Sequence, residues 1–161
     1  MKILFKIFLL ISFLSNYTFL NAEVVNKIEI FGNKRVSDET VKVYSGIDNN
    51  KRDYIKSDLD QILKNIYDTN FFSDVSLKIE NKVLIINLKE YPIINQLIFL
   101  GEKSNRIKEQ IKKIISLKEK DSFIQNNLNN DINSIKKFYS SIGYNFSDVS
   151  VKIKDVDENN L

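Results

Sequence analysis

One eight-residue segment of this chain occurs twice. The sequence FSDVSLKI at residues 72–79 returns as FSDVSVKI at residues 146–153, and the copies differ only where Val151 replaces Leu77. Internal similarity at a long period is the signature of a supersecondary unit that is built more than once. In a chain of 161 residues, the repeat therefore favours two small modules over one continuous domain.

The pattern upstream of each copy predicts the same order of elements. Residues 26–33 alternate apolar and polar side chains as a half-buried strand does, and residues 94–101 are a looser counterpart. Ser37 predicts the N-terminal cap of a first helix that ends near Gly46. A second helix is expected to open near Ser57, with a core-facing stripe at helical spacing. The stripe contains Leu59, Ile62, Leu63, Ile66 and Tyr67, and its second copy contains Leu128, Ile132, Ile135, Phe138 and Ile142.

The repeated segment is predicted to be the first strand of a hairpin. Its apolar residues fall on one face and Ser76, Lys78 and Glu80 fall on the other. The tight turn at residues 81–82 leads to residues 83–88, which are apolar on both faces for most of their length. A continuous apolar strand suits the centre of a sheet and an alternating strand suits its edge, so the repeated segment is expected at the edge.

The strand directions then fix the predicted topology. The first and third strands run parallel, the hairpin places the second strand outside, and right-handed connections lay both helices over one face of the sheet. The fold class is therefore α+β, with two tandem βααββ modules, each a three-stranded mixed sheet with two helices on one face. The second module lacks its last strand, because residues 155–160 can supply only a turn.

The first 22 residues have the composition of a secretory signal peptide. Lys2 and Lys6 precede an apolar run at residues 7–14, and a more polar stretch leads to a predicted cleavage site between Ala22 and Glu23. The apolar run is shorter than the roughly 20 residues that cross a bilayer as a helix. We therefore expect a signal peptide at 1–22, a first module at 23–91 and an incomplete second module at 92–161.

The composition argues against enzyme chemistry. The chain contains no histidine and no cysteine, which removes the usual zinc ligands, thiol nucleophiles and the commonest general base near neutral pH. Scattered Asp and Glu residues are the only support for a carboxylate enzyme such as a glycosidase. Lys and Arg number 24 against 21 Asp and Glu, so no basic surface for nucleic acid is indicated. We predict a non-enzymatic protein with no cofactor, no metal site and no nucleic-acid partner.

Three short motifs resemble polypeptide-transport-associated (POTRA) domains: residues 30–36, residues 67–75 and residues 143–149. A cleavable signal followed directly by tandem copies resembles the start of BamA-type outer membrane protein assembly factors. Asn70 stands where that family usually has glycine, a substitution that the left-handed turn conformation tolerates.

The resemblance implies a protein at the periplasmic side of the cell outer membrane that receives unfolded outer membrane proteins for insertion. It also implies lipoprotein subunits of an assembly machinery as partners. Because the second module lacks a strand, we expect the chain to be a fragment, whose missing part contains further modules and a C-terminal barrel that reaches the outer membrane.

Extended client segments are expected to bind by β-augmentation, in which a peptide adds a strand to a sheet edge. An alternative is that the polar residues of these strands only keep the edges soluble. A competing class of protein is a POTRA scaffold of division or secretion machinery, anchored in the inner membrane by residues 1–22. The predicted client-binding residues are Asp74, Val75, Ser76, Leu77, Lys78, Ile79 and Glu80 in the first module and Asp148, Val149, Ser150, Val151, Lys152 and Ile153 in the second.

Overall fold

The computed structural model describes residues 22–48 and 50–155. The predicted signal peptide, apart from Ala22, lies outside the described residues, as does most of the turn predicted after the second module. Along the chain the elements are β1 Glu23–Val24, β2 Lys27–Phe31, α1 Asp38–Ser45, β3 Asp53–Tyr54, α2 Lys56–Asp68, β4 Phe72–Glu80, β5 Val83–Glu90, α3 Asn105–Ile114 and α4 Gln125–Ser141.

The three long strands of the first module form one mixed sheet in the order β2-β5-β4. Strand β2 pairs parallel with β5, and β4 pairs antiparallel with β5. Ile86 pairs with Ile30 on one side and with Leu77 on the other, and it is fully buried together with Leu84. The predicted topology is confirmed, and its cause is the apolar sequence of β5, which only a central position can bury.

Helix α1 begins and ends where its sequence predicts. The Ser37 hydroxyl accepts a hydrogen bond from the Thr40 N–H at 3.2 Å, which satisfies one of the free donors at the start of the helix. Gly46 closes the helix with a positive φ of 73°. Val41 is the residue of this helix that enters the core, with 1% of its surface exposed.

Helix α2 begins at Lys56, one residue before the predicted start at Ser57. The Asp58 carboxylate accepts a hydrogen bond from the Ile55 N–H at 2.9 Å, which fixes the entry of the chain into the helix. Ile62 and Ile66 are buried, and Leu59 and Leu63 pack against the same core. Tyr67 departs from the predicted stripe, because 40% of its surface is exposed.

A second pair of strands in the first module was absent from the sequence prediction. Strands β1 and β3 pair antiparallel through Glu23 with Tyr54 and Val24 with Asp53. The second module repeats this feature as a bridge between Ile93 and Ser122. The structural repeat therefore extends to the segments that precede the first strand and the second helix.

The helices of the second module follow the same plan with one substitution. When the starts of α2 and α4 are aligned, Asp131 takes the place of Ile62 and is likewise buried. Its carboxylate accepts hydrogen bonds from the N–H groups of Ser116 and Leu117 at 2.7 and 2.9 Å. The charge that replaces an apolar residue is thus satisfied by the backbone that follows α3.

The predicted strands of the second module are wrong as hydrogen-bonded strands. Residues 94–101 and 146–153 join no ladder within the described part of the chain. In the first module, β2 and β4 each pair with β5 and never with each other. Since the described residues after 145 contain no counterpart of β5, the outer segments have nothing to pair with, and several large apolar side chains are exposed: Ile98, Leu100, Phe146, Val151 and Ile153.

Candidate strand-binding edge

The outer edge of β4 presents the backbone groups of alternate residues. Asn81 and Lys82 both have positive φ, at 51° and 66°, as in the two-residue type I′ turn that joins antiparallel strands. The pair that closes such a turn, here Glu80 and Val83, is hydrogen bonded across the hairpin. Backbone N–H and C=O groups alternate in direction along a strand. The backbone groups of Lys78 therefore also point toward β5, and those of Leu77 and Ile79 point outward, away from the sheet.

A hydrogen bond near the other end of β4 independently shows which backbone groups point outward. The Val75 N–H donates to the Tyr67 hydroxyl at 3.1 Å, and this group lies on α2 and not on β5. Val75 therefore belongs to the outward set with Leu77 and Ile79. Within residues 22–48 and 50–155, the outward N–H and C=O groups of Leu77 and Ile79 make no hydrogen bond.

The side chains of β4 divide as the sequence predicts. Val75 is buried, and Leu77 and Ile79 pack against the core under the helices. On the opposite face Ser76, Lys78 and Glu80 are exposed, and Lys78 donates to Glu80 at 3.1 Å. The edge thus combines free backbone groups with a polar and mixed-charge surface, and it carries no reactive side chain.

The two sets of predicted client-binding residues lie in different structural settings. Residues 74–80 lie on a regular edge strand, and a register shift between Phe72 and Asp74 marks where that regular strand begins. Residues 148–153 have the same sequence pattern but lie in no sheet. Client binding by either set stays a prediction.

Glu90 holds the end of β5 against the loop after β2, a contact that the sequence analysis missed. Its carboxylate accepts hydrogen bonds from the backbone N–H groups of Lys34, Arg35 and Val36 at 2.9, 2.9 and 3.0 Å. The Arg35 Nε donates to the same carboxylate at 2.9 Å, and the Glu90 side chain is 3% exposed. Three successive N–H groups facing one carboxylate form an anion-binding nest, and here the anion is part of the chain.

The pKa of Glu90 is lowered from its ordinary value. Burial of the carboxyl raises the pKa, but the hydrogen bonds from Val36, Arg35 and Lys34 and the charge of Arg35 outweigh that effect. The nest therefore favours the ionised carboxylate, and the contact acts as a structural lock between β5 and the loop after β2. Arg35 in the sequence motif was the available signal, but nothing in its spacing indicated Glu90 as the partner.

Two features common at other kinds of functional site are not found in the described part of the chain. Among residues 22–48 and 50–155, no three His, Cys, Asp or Glu side chains stand close enough to hold a metal ion. In the same residues, no helix has both the length and the apolar character needed to cross a bilayer.

The fold and the edge together define a small βααββ scaffold in which one long strand, β4, has a free outer edge. The POTRA family model, described as surface antigen variable number repeat, matches residues 92–161. The outer membrane protein assembly factor BamA of Neorickettsia risticii (strain Illinois) is 30% identical over 149 residues, which cover 92% of this chain and 20% of that protein.

Two solved structures are also similar. POTRA1-2 of the periplasmic domain of Omp85 from Anabaena is 17% identical, covers 86% of this chain and 91% of its own, and has a TM-score of 0.46. The N-terminal domain of Omp85 from Thermosynechococcus elongatus is 17% identical, covers 77% of this chain and 54% of its own, and has a TM-score of 0.49.

The chain matches the POTRA domain family over residues 92–161. It is related to the BamA-type outer membrane protein assembly factors, as the motifs of the sequence indicate, and spans 20% of the length of the curated relative that it matches.

Proposed function

We propose that this chain is the periplasmic part of an outer membrane β-barrel assembly factor and receives unfolded outer membrane proteins at the free edge of β4. The relation to BamA supports the class of protein. The observation that carries the binding mode is the outward row of unpaired backbone groups at Leu77 and Ile79. Of the two edge strands in the sheet, β4 has nine residues and β2 has five, so β4 offers the longer template.

Pairing through the backbone explains how one site can accept many clients. The outward N–H and C=O groups of Leu77 and Ile79 offer four hydrogen bonds, and none of them depends on the side chains of the client. Each contributes about 0.5–1.5 kcal/mol net, and the ordering of an unfolded client offsets much of the sum. Binding is therefore weak and reversible, as the transfer of a client to a membrane requires.

The polar face of β4 fits the same role. Ser76, Lys78 and Glu80 place one hydroxyl and two opposite charges beside the added strand. This face keeps the free edge soluble between clients, and it gives no apolar pocket that would select one client sequence. Solubility and reception are thus compatible properties of one edge.

Cysteine cross-linking tests this proposal directly, because the natural chain contains no cysteine. Lys78→Cys places a single thiol on β4, next to the position of an added strand. We expect it to form a disulfide with an unfolded outer membrane β-barrel protein that carries one cysteine in a strand. The measurement is the yield of the cross-linked product under mild oxidation.

The matched control is Lys64→Cys, which replaces an exposed lysine that lies on α2 and not on β4. The Lys64 and Lys78 side chains are 68% and 51% exposed, so solvent access favours the control. A higher yield at residue 78 supports reception at the edge. Equal yields at the two positions contradict it.

We also propose that the protein is exported, with residues 1–22 removed, and that 23–91 and 92–161 are successive modules of a longer chain. The 20% coverage of the relative and the unpaired strand segments of the second module support this division. Mass spectrometry is expected to find Glu23 at the mature N-terminus; an intact Met1 contradicts removal.

Sequencing the gene downstream is expected to show an open reading frame that encodes an apolar strand, and a stop codon directly after Leu161 contradicts the longer chain.

The proposed partners follow from the same relation. Lipoprotein subunits of an assembly machinery are separate partner proteins, and a C-terminal barrel in the outer membrane belongs to the longer chain, while the described residues supply the receiving surface. No cofactor and no catalytic step enter this function, because strand pairing needs only backbone groups.

A further inference from the structure

Tyr67 occupies the first outward-facing donor of the free edge. Its hydroxyl lies 3.1 Å from the Val75 nitrogen, and Val75 is the first residue of the outward set after the register shift between Phe72 and Asp74. Helix α2 carries Tyr67 next to the buried Ile66, yet 40% of Tyr67 is exposed and 1% of Ile66. The phenol therefore sits at the surface beside the sheet edge and is not part of the core.

This contact changes what the edge can offer to an added strand. In an antiparallel pair, each outward residue exchanges two hydrogen bonds with the residue opposite. Leu77 and Ile79 have both groups available. Val75 has only its C=O, because its N–H already donates to Tyr67. The available row thus runs from Leu77 toward the hairpin at residues 81–82 and is interrupted at Val75.

We propose that Tyr67 is a positioning residue that fixes the register of a client strand by ending its pairing at Leu77. This inference rests on the proposed reception at β4 and specifies where along β4 the client lies. The ligand class is an extended polypeptide segment, recognised through its backbone. A protein that must hold many different clients in one orientation needs a fixed end point, since backbone pairing alone permits slippage along a polar strand.

The test uses the full chain and a defined probe. The probe is a 15-residue peptide of alternating threonine and valine with lysine at both ends. Amide exchange of the isotope-labelled protein is measured by NMR with and without the peptide. In the natural protein, the peptide is expected to slow exchange at Leu77 and Ile79 and to leave Val75 unchanged.

Two variants separate the hydroxyl from the ring. Tyr67→Phe frees the Val75 N–H, and Tyr67→Ala also removes the ring. In at least one of them, the peptide is expected to slow exchange at Val75 as well and to bind about two- to tenfold more tightly, from one additional hydrogen bond. A change in Tyr67→Ala alone means that the ring ends the pairing, which also supports the inference.

The control is Tyr44→Phe, which removes a hydroxyl from an exposed phenol on α1. It is expected to leave both register and affinity unchanged. The inference is overturned if the peptide protects only Leu77 and Ile79 in both Tyr67 variants, or if Tyr44→Phe extends the pairing to Val75. A peptide that fails to protect Leu77 and Ile79 in the natural protein overturns the proposed reception itself, and the inference with it.

Discussion

Replacing Gly32 with alanine is expected to lower the free energy of unfolding of the first module by about 3 kcal/mol or more. Gly32 follows β2 with a φ of +87°, and a Cβ added there meets the backbone oxygen of Leu88 at 1.9 Å. That oxygen belongs to the central strand and cannot move aside as a flexible side chain does. The end of β2 must therefore separate from β5, and urea unfolding measures the loss.

Gly101→Ala is the matched control, because Gly101 is the counterpart of Gly32 in the second module. Its φ is +85°, but an added Cβ has nothing within 4 Å. Only the backbone strain remains, which costs about 1 kcal/mol. The difference between the two variants isolates the close approach of β2 to β5. Equal losses contradict this explanation of the glycine.

Glu90→Gln is expected to destabilise the first module by about 2–3 kcal/mol at pH 7. The substitution removes the negative charge that three backbone N–H groups and the Arg35 guanidinium surround. The three N–H groups contact one carboxylate oxygen and Arg35 contacts the other, so the new amide N–H donors face either the backbone donors or Arg35. Urea unfolding measures the loss. The control is Glu80→Gln, because the Glu80 side chain is 57% exposed and its ion pair with Lys78 contributes little.

The same contact predicts a pH dependence. The folded pKa of Glu90 lies below its ordinary value of 4.5, so folding favours the ionised carboxylate. Its contribution to stability is full above that ordinary pKa and is lost as the pH falls through the lower, folded pKa. The stability difference between the natural protein and Glu90→Gln should shrink in that window. A constant difference from pH 7 to pH 3 contradicts the lock.

The order of the strands in the sheet could be predicted because the composition of one strand reveals its position. Strand β5 is apolar on both faces, which only the centre of a sheet can accommodate, and this one feature gave the strand order. Tyr67 shows the limit of periodicity. Helical spacing places it in the core stripe beside Leu63 and Ile66, but its hydroxyl requires a partner and finds one at the sheet edge.

Contacts between distant residues account for what the sequence could not predict. Glu90 meets the loop at Lys34–Val36 only after the parallel pairing of β2 and β5 brings them together. Strands β1 and β3 have two residues each, too few to show a period. In the second module, residues 146–153 repeat the sequence pattern of residues 72–79, but they form no hydrogen-bonded strand, because a pattern cannot supply the partner strand that pairing requires.

Hydrogen–deuterium exchange of the full chain, with and without an unfolded outer membrane β-barrel protein, tests reception at the edge most directly. The client should slow exchange within Phe72–Glu80, most of all at Leu77 and Ile79, and leave the already paired amides of β5 unchanged. Protection confined to β2, to the helices or to residues 146–153, with β4 exchanging as before, means that the edge of β4 is not the receiving surface.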